Sequence, residues 1–327
     1  MAKRKSKKKV GMMGKLWWRC KLLVLLLILG SGGYGVWYSQ QDEATQEQSQ
    51  QHMLLVLNWL IERDETNQQV DDVLLWLTQQ VPSAEAPGVF VGNGADADRY
   101  TFAGLPESNR PLKILKNKGY IVGYDEARQN PAWVAYRLEY EADAGTMKRP
   151  HGFKTDLRTI ARVRHQDYTN TGYDRGHMAP NYAIGRAHGA KAQIETFWMS
   201  NIVPQLPELN RGPWKALEQR IANDYLQHYR ELWVITGPIF DDQSPRLDSG
   251  VAVPSSFFKI LVDVVEPGNV RVLTFTMPQQ VKDDNLRDYL TSVDAIEAKT
   301  GLDFFSSLND QHEKRLESKP AKRLWSF

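Results

Sequence analysis

Between Lys148 and Lys191 the chain gathers side chains that could work on a phosphate. Four of its seven histidines (His151, His165, His177 and His188) fall there, with nine Lys/Arg and only three acids, Asp156, Asp167 and Asp174. A basic run is ordinarily a solvated face. Here the basic residues are mixed with His and Asn in Gly-containing turns, which suits an anion site as well. Inside the window is TGYDRGHMAPNYA, where Asp174, Arg175 and His177 surround a glycine and a proline follows. That chemistry reads as a constrained turn, not a helix interior. A neutral imidazole such as His177 can take a proton from water. An arginine such as Arg175 can grip phosphate oxygens through two parallel hydrogen bonds. Downstream, in SNIVPQLPELNRGPWKALE, Asn210 stands just ahead of a helix opened by Pro213, and Glu218 lies within it. An amide oxygen plus waters makes a reasonable inner sphere for Mg²⁺. Together these parts could hydrolyse a phosphodiester; each alone is weak evidence.

The elements that would position them can be read from pattern. The chain has 327 residues, 42% hydrophobic and 24% charged, which excludes a wholly disordered, collagenous or disulfide-scaffold protein. Cys20 is the one cysteine, so neither an intrachain disulfide nor a cysteine-built zinc site is available. The net charge of +2 averages two unlike parts: residues 1–21 hold nine Lys/Arg and no acid, and the remainder is acidic. A nucleic-acid role therefore needs a local basic patch, not global charge.

An uncharged stretch from Leu22 to Gln41 begins LLVLLLIL and is flanked by Trp17, Trp18, Tyr34, Trp37 and Tyr38. Its length and aromatic flanks predict a transmembrane anchor over 22–40, although Gly30 to Gly33 weaken it. A cleaved signal peptide is the competing reading, and no A-x-A site follows the apolar core. The basic tail 1–21 predicts a cytoplasmic N-terminus. The expected location is thus a single-pass protein of a bacterial inner membrane, with the rest of the chain outside the cytoplasm. Residues 41–81 read as a solvated stalk and a helical hairpin, with Leu54, Leu57 and Ile61 on one helix and Val70, Val73, Leu74 and Leu77 on the other. PSAEAPG breaks the pattern and opens a domain spanning 82–327.

In that domain, strands are predicted over 120–124, 133–140, 232–236, 257–265 and 270–276. A helix is predicted over 213–229 from Trp214, Leu217, Ile221 and Tyr225, and a short helix in VDAIEAKTG stopped by Gly301. Strands and helices do not alternate regularly. The expected class is α+β with a largely antiparallel central sheet.

The order DRGHMAP, SNIVPQ, LNRGPWKALE resembles that of the DNA/RNA non-specific endonucleases, the group that includes endonuclease G and carries a ββα-metal (His-Me finger) active site. The resemblance runs from about Phe102 to Leu308 and takes in FAGLP, GPIF, VAVPSSFFKILVD and SVDAIEAKTGLDFF. It implies that His177 is the general base, Asn210 the direct ligand of Mg²⁺ (with Mn²⁺ as a substitute), and Glu218 a carboxylate holding metal-bound water. It implies that Arg175 contacts phosphate or the leaving side and that Arg149 is the upstream phosphate-binding arginine. Asn201 matches a polar residue counted with the catalytic cluster, and Asp174 orients the turn. His151, His165 and His188 match no family role. The implied substrates are DNA and RNA, with 5′-phosphate products; homodimers are common among such enzymes, and an inhibitor partner is unknown. An ordinary imidazole pKa would make activity fall below about pH 6. Two other readings stay open from sequence: a membrane-tethered nucleic-acid binder without catalysis, and a phosphodiesterase acting on phospholipid.

Overall fold

A seven-stranded, wholly antiparallel sheet organises the computed structural model, which describes residues 99–141, 148–150, 152–266 and 269–326. The tail, the anchor and the hairpin expected over 1–81 lie outside the described residues, as does His151. Among the described residues no helix is long and apolar enough to cross a membrane.

In chain order the strands are β1 (Glu107–Ser108), β2 (Lys113–Lys116), β3 (Ile121–Asp125), β4 (Asn130–Glu139), β5 (Asp174–His177), β6 (Ile202–Gln205), β7 (Glu231–Ile239), β8 (Ser256–Glu266), β9 (Asn269–Pro278), β10 (Leu290–Thr291) and β11 (Leu302–Asp303). The helices are α1 (Asn181–His188), α2 (Ala190–Glu195), α3 (Pro207–Arg211), α4 (Pro213–Gln219), α5 (Leu226–Tyr229), α6 (Val293–Thr300) and α7 (Asp310–Glu317). The large sheet runs β10–β9–β8–β7–β4–β3–β2, and two small pairs, β5–β6 and β1–β11, stand outside it.

Both faces of the large sheet are covered, which is why its strands read as near-continuous apolar runs instead of clean alternation. In β4, Val134, Tyr136 and Leu138 face a core shared with Ile184 of α1 and Trp214 and Leu217 of α4. Trp133 and Ala135, pointing the opposite way, join Phe258, Ile260, Val293, Ile296 and Phe304. A third, smaller cluster of Val163, Tyr168, Met199, Ile202 and Val251 lies under the segment that carries the basic window.

The five predicted strands all form: the first is shifted by one residue, the second starts three residues earlier and ends one earlier, and the other three are each longer by two to four residues. The helix over 213–229 is broken into α4, a π-helical turn at Arg220–Tyr225 and α5; within that turn Arg220 Nε donates to the Tyr225 hydroxyl at 3.0 Å. Gly301 ends α6 at φ +67°, as expected of a left-handed stop. The DRGH segment is a correction. It is a strand, β5, paired with β6 in the register Asp174↔Gln205 to His177↔Ile202. A composition that suggested a turn folds as a strand because Gly176 lies against the Gln205 side chain, where a Cβ would overlap it. A side chain at 176 would have to displace Gln205, which is fully buried. Pro204 is tolerated on β6 because this pair has two free edges. Pro207 and Pro213 then start α3 and α4, so two antiparallel strands are followed by helices in one local unit.

Candidate active site

His177 closes β5, and its position is fixed by neighbours that sequence pattern did not reveal. Phe153 and Phe197 flank the ring, with centroids 5.4 Å and 4.9 Å away, and pack on each other at 5.2 Å. A backbone bridge holds that pair: Lys154 N–H donates to the Phe197 carbonyl, and Met199 N–H to the Lys154 carbonyl. His177 Nε2 is shut from solvent and has no hydrogen-bond partner. Burial, and after it the charge of Arg149, hold the imidazole pKa down to about 3. The ring is therefore neutral across the physiological range.

The exposed Arg149 lies with its guanidinium carbon 5.3 Å from the centre of the Phe197 ring. The two residues that resemblance assigned to a base and to a phosphate-binding arginine thus share one aromatic wall. Arg175 lies two residues before His177 on the same short strand. Its guanidinium donates to the His165 carbonyl (2.6 Å and 3.1 Å) and to Thr169 Oγ1 (3.1 Å). His165 in turn stacks on Phe153 at 5.8 Å, so it stands at the rim of this cluster although no role was assigned to it. His188 is structural: its Nε2 bonds the Arg137 carbonyl at 2.7 Å.

Asp174 ties the strand to the helices. Its Oδ2 accepts from Asn210 Nδ2 at 2.9 Å, and Arg211 grips both oxygens at 2.8 Å and 2.7 Å. Burial opposes the charge on Asp174, but the Arg211 and Asn210 hydrogen bonds and the nearby arginines outweigh it and hold the carboxyl below its usual range. The bond also fixes Asn210. With its amide nitrogen committed to Asp174, its carbonyl oxygen points elsewhere.

Glu218, on α4, meets a residue the sequence did not flag. Lys259 of β8 is fully buried, its Nζ 3.9 Å from Glu218 Oε1 and 4.4 Å from the centre of the Trp214 ring. Neither the ammonium nor Glu218 Oε1 has a hydrogen-bond partner. Burial raises the Glu218 pKa against the pull of Lys259, and burial lowers that of Lys259. The one charged residue in the apolar run FFKILV was the available signal. A lysine with no exposed surface on a central strand must have an internal reason to be there.

Asn201, which the resemblance counted with the catalytic cluster, braces the backbone beside His177. It is wholly buried, and its amide is used up by the backbone: Oδ1 accepts from Ala179 N–H at 2.8 Å, and Nδ2 donates to the carbonyls of Ala179 (3.0 Å) and Thr196 (2.9 Å). These bonds strap down the chain that follows His177.

The donor set fits a hydrated hard cation. An amide oxygen turned away from its only protein bond and a carboxylate oxygen without a partner are the oxygen donors that Mg²⁺ takes while keeping most of its water.

A neutral, part-buried histidine, exposed and strand-borne arginines and an oxygen donor set, mounted on two strands and the helices after them, are parts that phosphodiester cleavage can use. Residues 102–311 match the family model described as DNA/RNA non-specific endonuclease, and the chain belongs to that family. It is 32% identical over 235 residues to a nuclease of Nostoc sp., covering 66% of this chain and 84% of that one. It is 29% identical over 215 residues to human mitochondrial endonuclease G, covering 60% and 70%. Among solved structures, the crystal structure of the EndoG/EndoGI complex, which concerns inhibition of EndoG, superposes with a TM-score of 0.57 at 27% identity, over 70% of this chain and 96% of that one. The protein is a nuclease that hydrolyses nucleic acids, so the lipid-phosphodiesterase and non-catalytic readings of the sequence fall away.

Proposed function

We propose that this chain is a sugar-non-specific endonuclease in which neutral His177 takes the proton of the attacking water, and that residues 22–40 hold it at a membrane with the nuclease domain outside the cytoplasm. The observation that carries the catalytic reading is the walled imidazole. Burial keeps its lone pair unprotonated, and the closure of Nε2 leaves Nδ1 as the nitrogen open to a water. As the water oxygen bonds to phosphorus, its proton passes to His177, the bond from phosphorus to the 3′ oxygen breaks, and that oxygen takes up a proton from a solvent water. The products are a 5′-phosphate and a 3′-hydroxyl. Asn210 would hold Mg²⁺, or Mn²⁺ in its place, and Glu218 would hold it through water; bound there, the ion would act as a Lewis acid on the phosphate and the leaving oxygen. Arg149 and Arg175 offset the charge that gathers on the phosphate. Contacts of this kind reach phosphate and sugar and read no sequence, which supports acceptance of both DNA and RNA.

The test is digestion by the full chain of supercoiled plasmid, single-stranded DNA and RNA, with Mg²⁺ and with EDTA. All three should be cut with Mg²⁺ and none with EDTA. Intact RNA would overturn the sugar tolerance, and undiminished cutting in EDTA would overturn the metal assignment. For the anchor, the full chain should stay with the membrane pellet after alkaline carbonate extraction; its release would remove the anchor.

Lys259 acts through Glu218 and is a positioning residue. A methionine of similar length at 259 should leave Glu218 buried without its cation, and so protonated near neutral pH. Lys259→Met is expected to lower the rate at pH 7 by about tenfold or more, with much of the loss recovered near pH 9 as the carboxyl ionises. A loss that is constant from pH 7 to 9 would reduce Lys259 to a packing role.

A further inference from the structure

Far along the chain from the catalytic motifs, the last turn of α7 meets α6 through carboxylates. Asp294 and Glu297 lie at i and i+3 on one face of α6, and Glu317 ends α7. One oxygen from each of the three lies within 4.8 Å of the others. Among the described residues this is the sole grouping of three or more His, Cys, Asp or Glu side chains so arranged. Acidic clusters on helix surfaces are common, and the cluster alone would mean nothing. Glu317 is what sets this one apart. It is 5% exposed, its Oε1 has no hydrogen-bond partner, and it points into the group. Among the described residues no salt bridge reaches Asp294, Glu297 or Glu317. Glu297 is held in place by the Phe304 N–H, which donates to its Oε1 at 2.8 Å.

We propose that Asp294, Glu297 and Glu317 form a second cation site, separate in its residues from the catalytic centre, that takes Ca²⁺ and clasps α6 to α7. An uncompensated carboxylate in this seam is costly, and a divalent cation is the partner that three oxygens at this spacing can share. The donor set favours Ca²⁺, which takes several carboxylates in a flexible geometry, over Mg²⁺, which keeps most of its waters and is usually held by only one or two carboxylates. Three protein carboxylates leave room for waters, in keeping with the six to eight oxygens Ca²⁺ prefers, roughly speaking. The protonation of the cluster agrees: burial first, then Glu297, Glu313, Asp294 and Asp303, push the Glu317 pKa up to about 8. The role is structural: the ion would pin the C-terminal helix to the layer that covers one face of the large sheet.

The test must set aside the catalytic metal, so it uses the full chain carrying Asn210→Ala. After EDTA treatment and dialysis, this chain should bind one Ca²⁺ in equilibrium dialysis, and saturating Ca²⁺ should raise its Tm by at least about 5 °C, with Mg²⁺ giving less. Adding Asp294→Asn, an exposed change with little cost to folding, should remove both the bound ion and the Tm response; Glu317→Gln should do the same and raise the Tm measured without metal. DNA cleavage with Mg²⁺ should be unchanged by Asp294→Asn in the otherwise wild-type chain. No bound Ca²⁺ at millimolar concentration, or binding that survives both Asp294→Asn and Glu317→Gln, would overturn the site.

Discussion

His177→Ala in the full chain is expected to slow cleavage of supercoiled plasmid by at least about 100-fold, with the affinity for uncut DNA nearly unchanged. The imidazole contributes proton transfer, whereas Arg149 and Arg175 remain to hold phosphate. The loss should therefore appear in turnover and not in binding, measured as single-turnover rates beside a filter-binding curve in EDTA. A variant with near wild-type turnover would take His177 out of the base role. The pH profile gives a second handle, and here the structure revises the expectation from sequence. An ordinary imidazole would lose its lone pair below about pH 6.5. Held down to about 3 by burial and then by Arg149, His177 stays neutral, so the acid limb of kcat/KM should lie below about pH 5, not at 6. The same shift has a stability cost of definite sign. The unfolded chain takes up a proton at this histidine as pH falls through about 6.5, and the folded chain does not until about 3. Stability is thereby lost on acidification across that window, and His177→Ala should show a shallower loss of Tm between pH 7 and 4 than the parent. An acid limb at pH 6 in brief assays would mean that the ring is more open to water than its aromatic wall implies.

The sequence disclosed groups that act and hid groups that support them. His177, Asn210 and Glu218 stood out because their types and order carry chemistry wherever they fall. The large sheet was legible for a different reason: its strands are buried on both faces, so β4 and β8 are apolar runs whose lengths mark them. What stayed hidden depends on pairing between distant segments. Phe153 and Phe197 are 44 positions apart, and nothing local marks them as the walls of one histidine; they meet through the bridge between Lys154 and Trp198. Asn201 entered through the resemblance alone, and the backbone groups its amide binds, from Ala179 and Thr196, come from segments that nothing local to it marks. The same holds for β5. Its composition favours a turn, and it is a strand through pairing with β6, some 28 positions on, where the Gln205 side chain lies over Gly176. Lys259 was visible as an oddity, one charge in an apolar run, but its partner on α4 was not.

Asn210→Ala should be the other severe change, and Asp174 makes its interpretation sharp. If the Asn210 carbonyl oxygen is the one direct protein donor to Mg²⁺, removing it should cost at least about 100-fold in rate and move the Mg²⁺ midpoint upward by tenfold or more, with excess Mg²⁺ restoring only part. Asp174→Ala removes no donor. It frees the Asn210 amide to rotate and releases Arg211, so the rate should fall by roughly 10–100-fold, the usual cost of losing a group that orients a metal ligand. Asp174→Asn should be milder. A carboxamide oxygen at 174 can still accept from Asn210 Nδ2, while the charge that grips Arg211 is gone. The order Asn210→Ala, then Asp174→Ala, then Asp174→Asn, read as Mg²⁺ midpoints, follows from a ligand aimed by its neighbour. Equal losses in all three, with an unmoved midpoint, would mean that this contact braces α3 against β5 and that the cation is held elsewhere. The distinction rests on chemistry at one amide: nitrogen to Asp174, oxygen to the ion. A single 2.9 Å bond decides which end of the side chain would be offered to the ion.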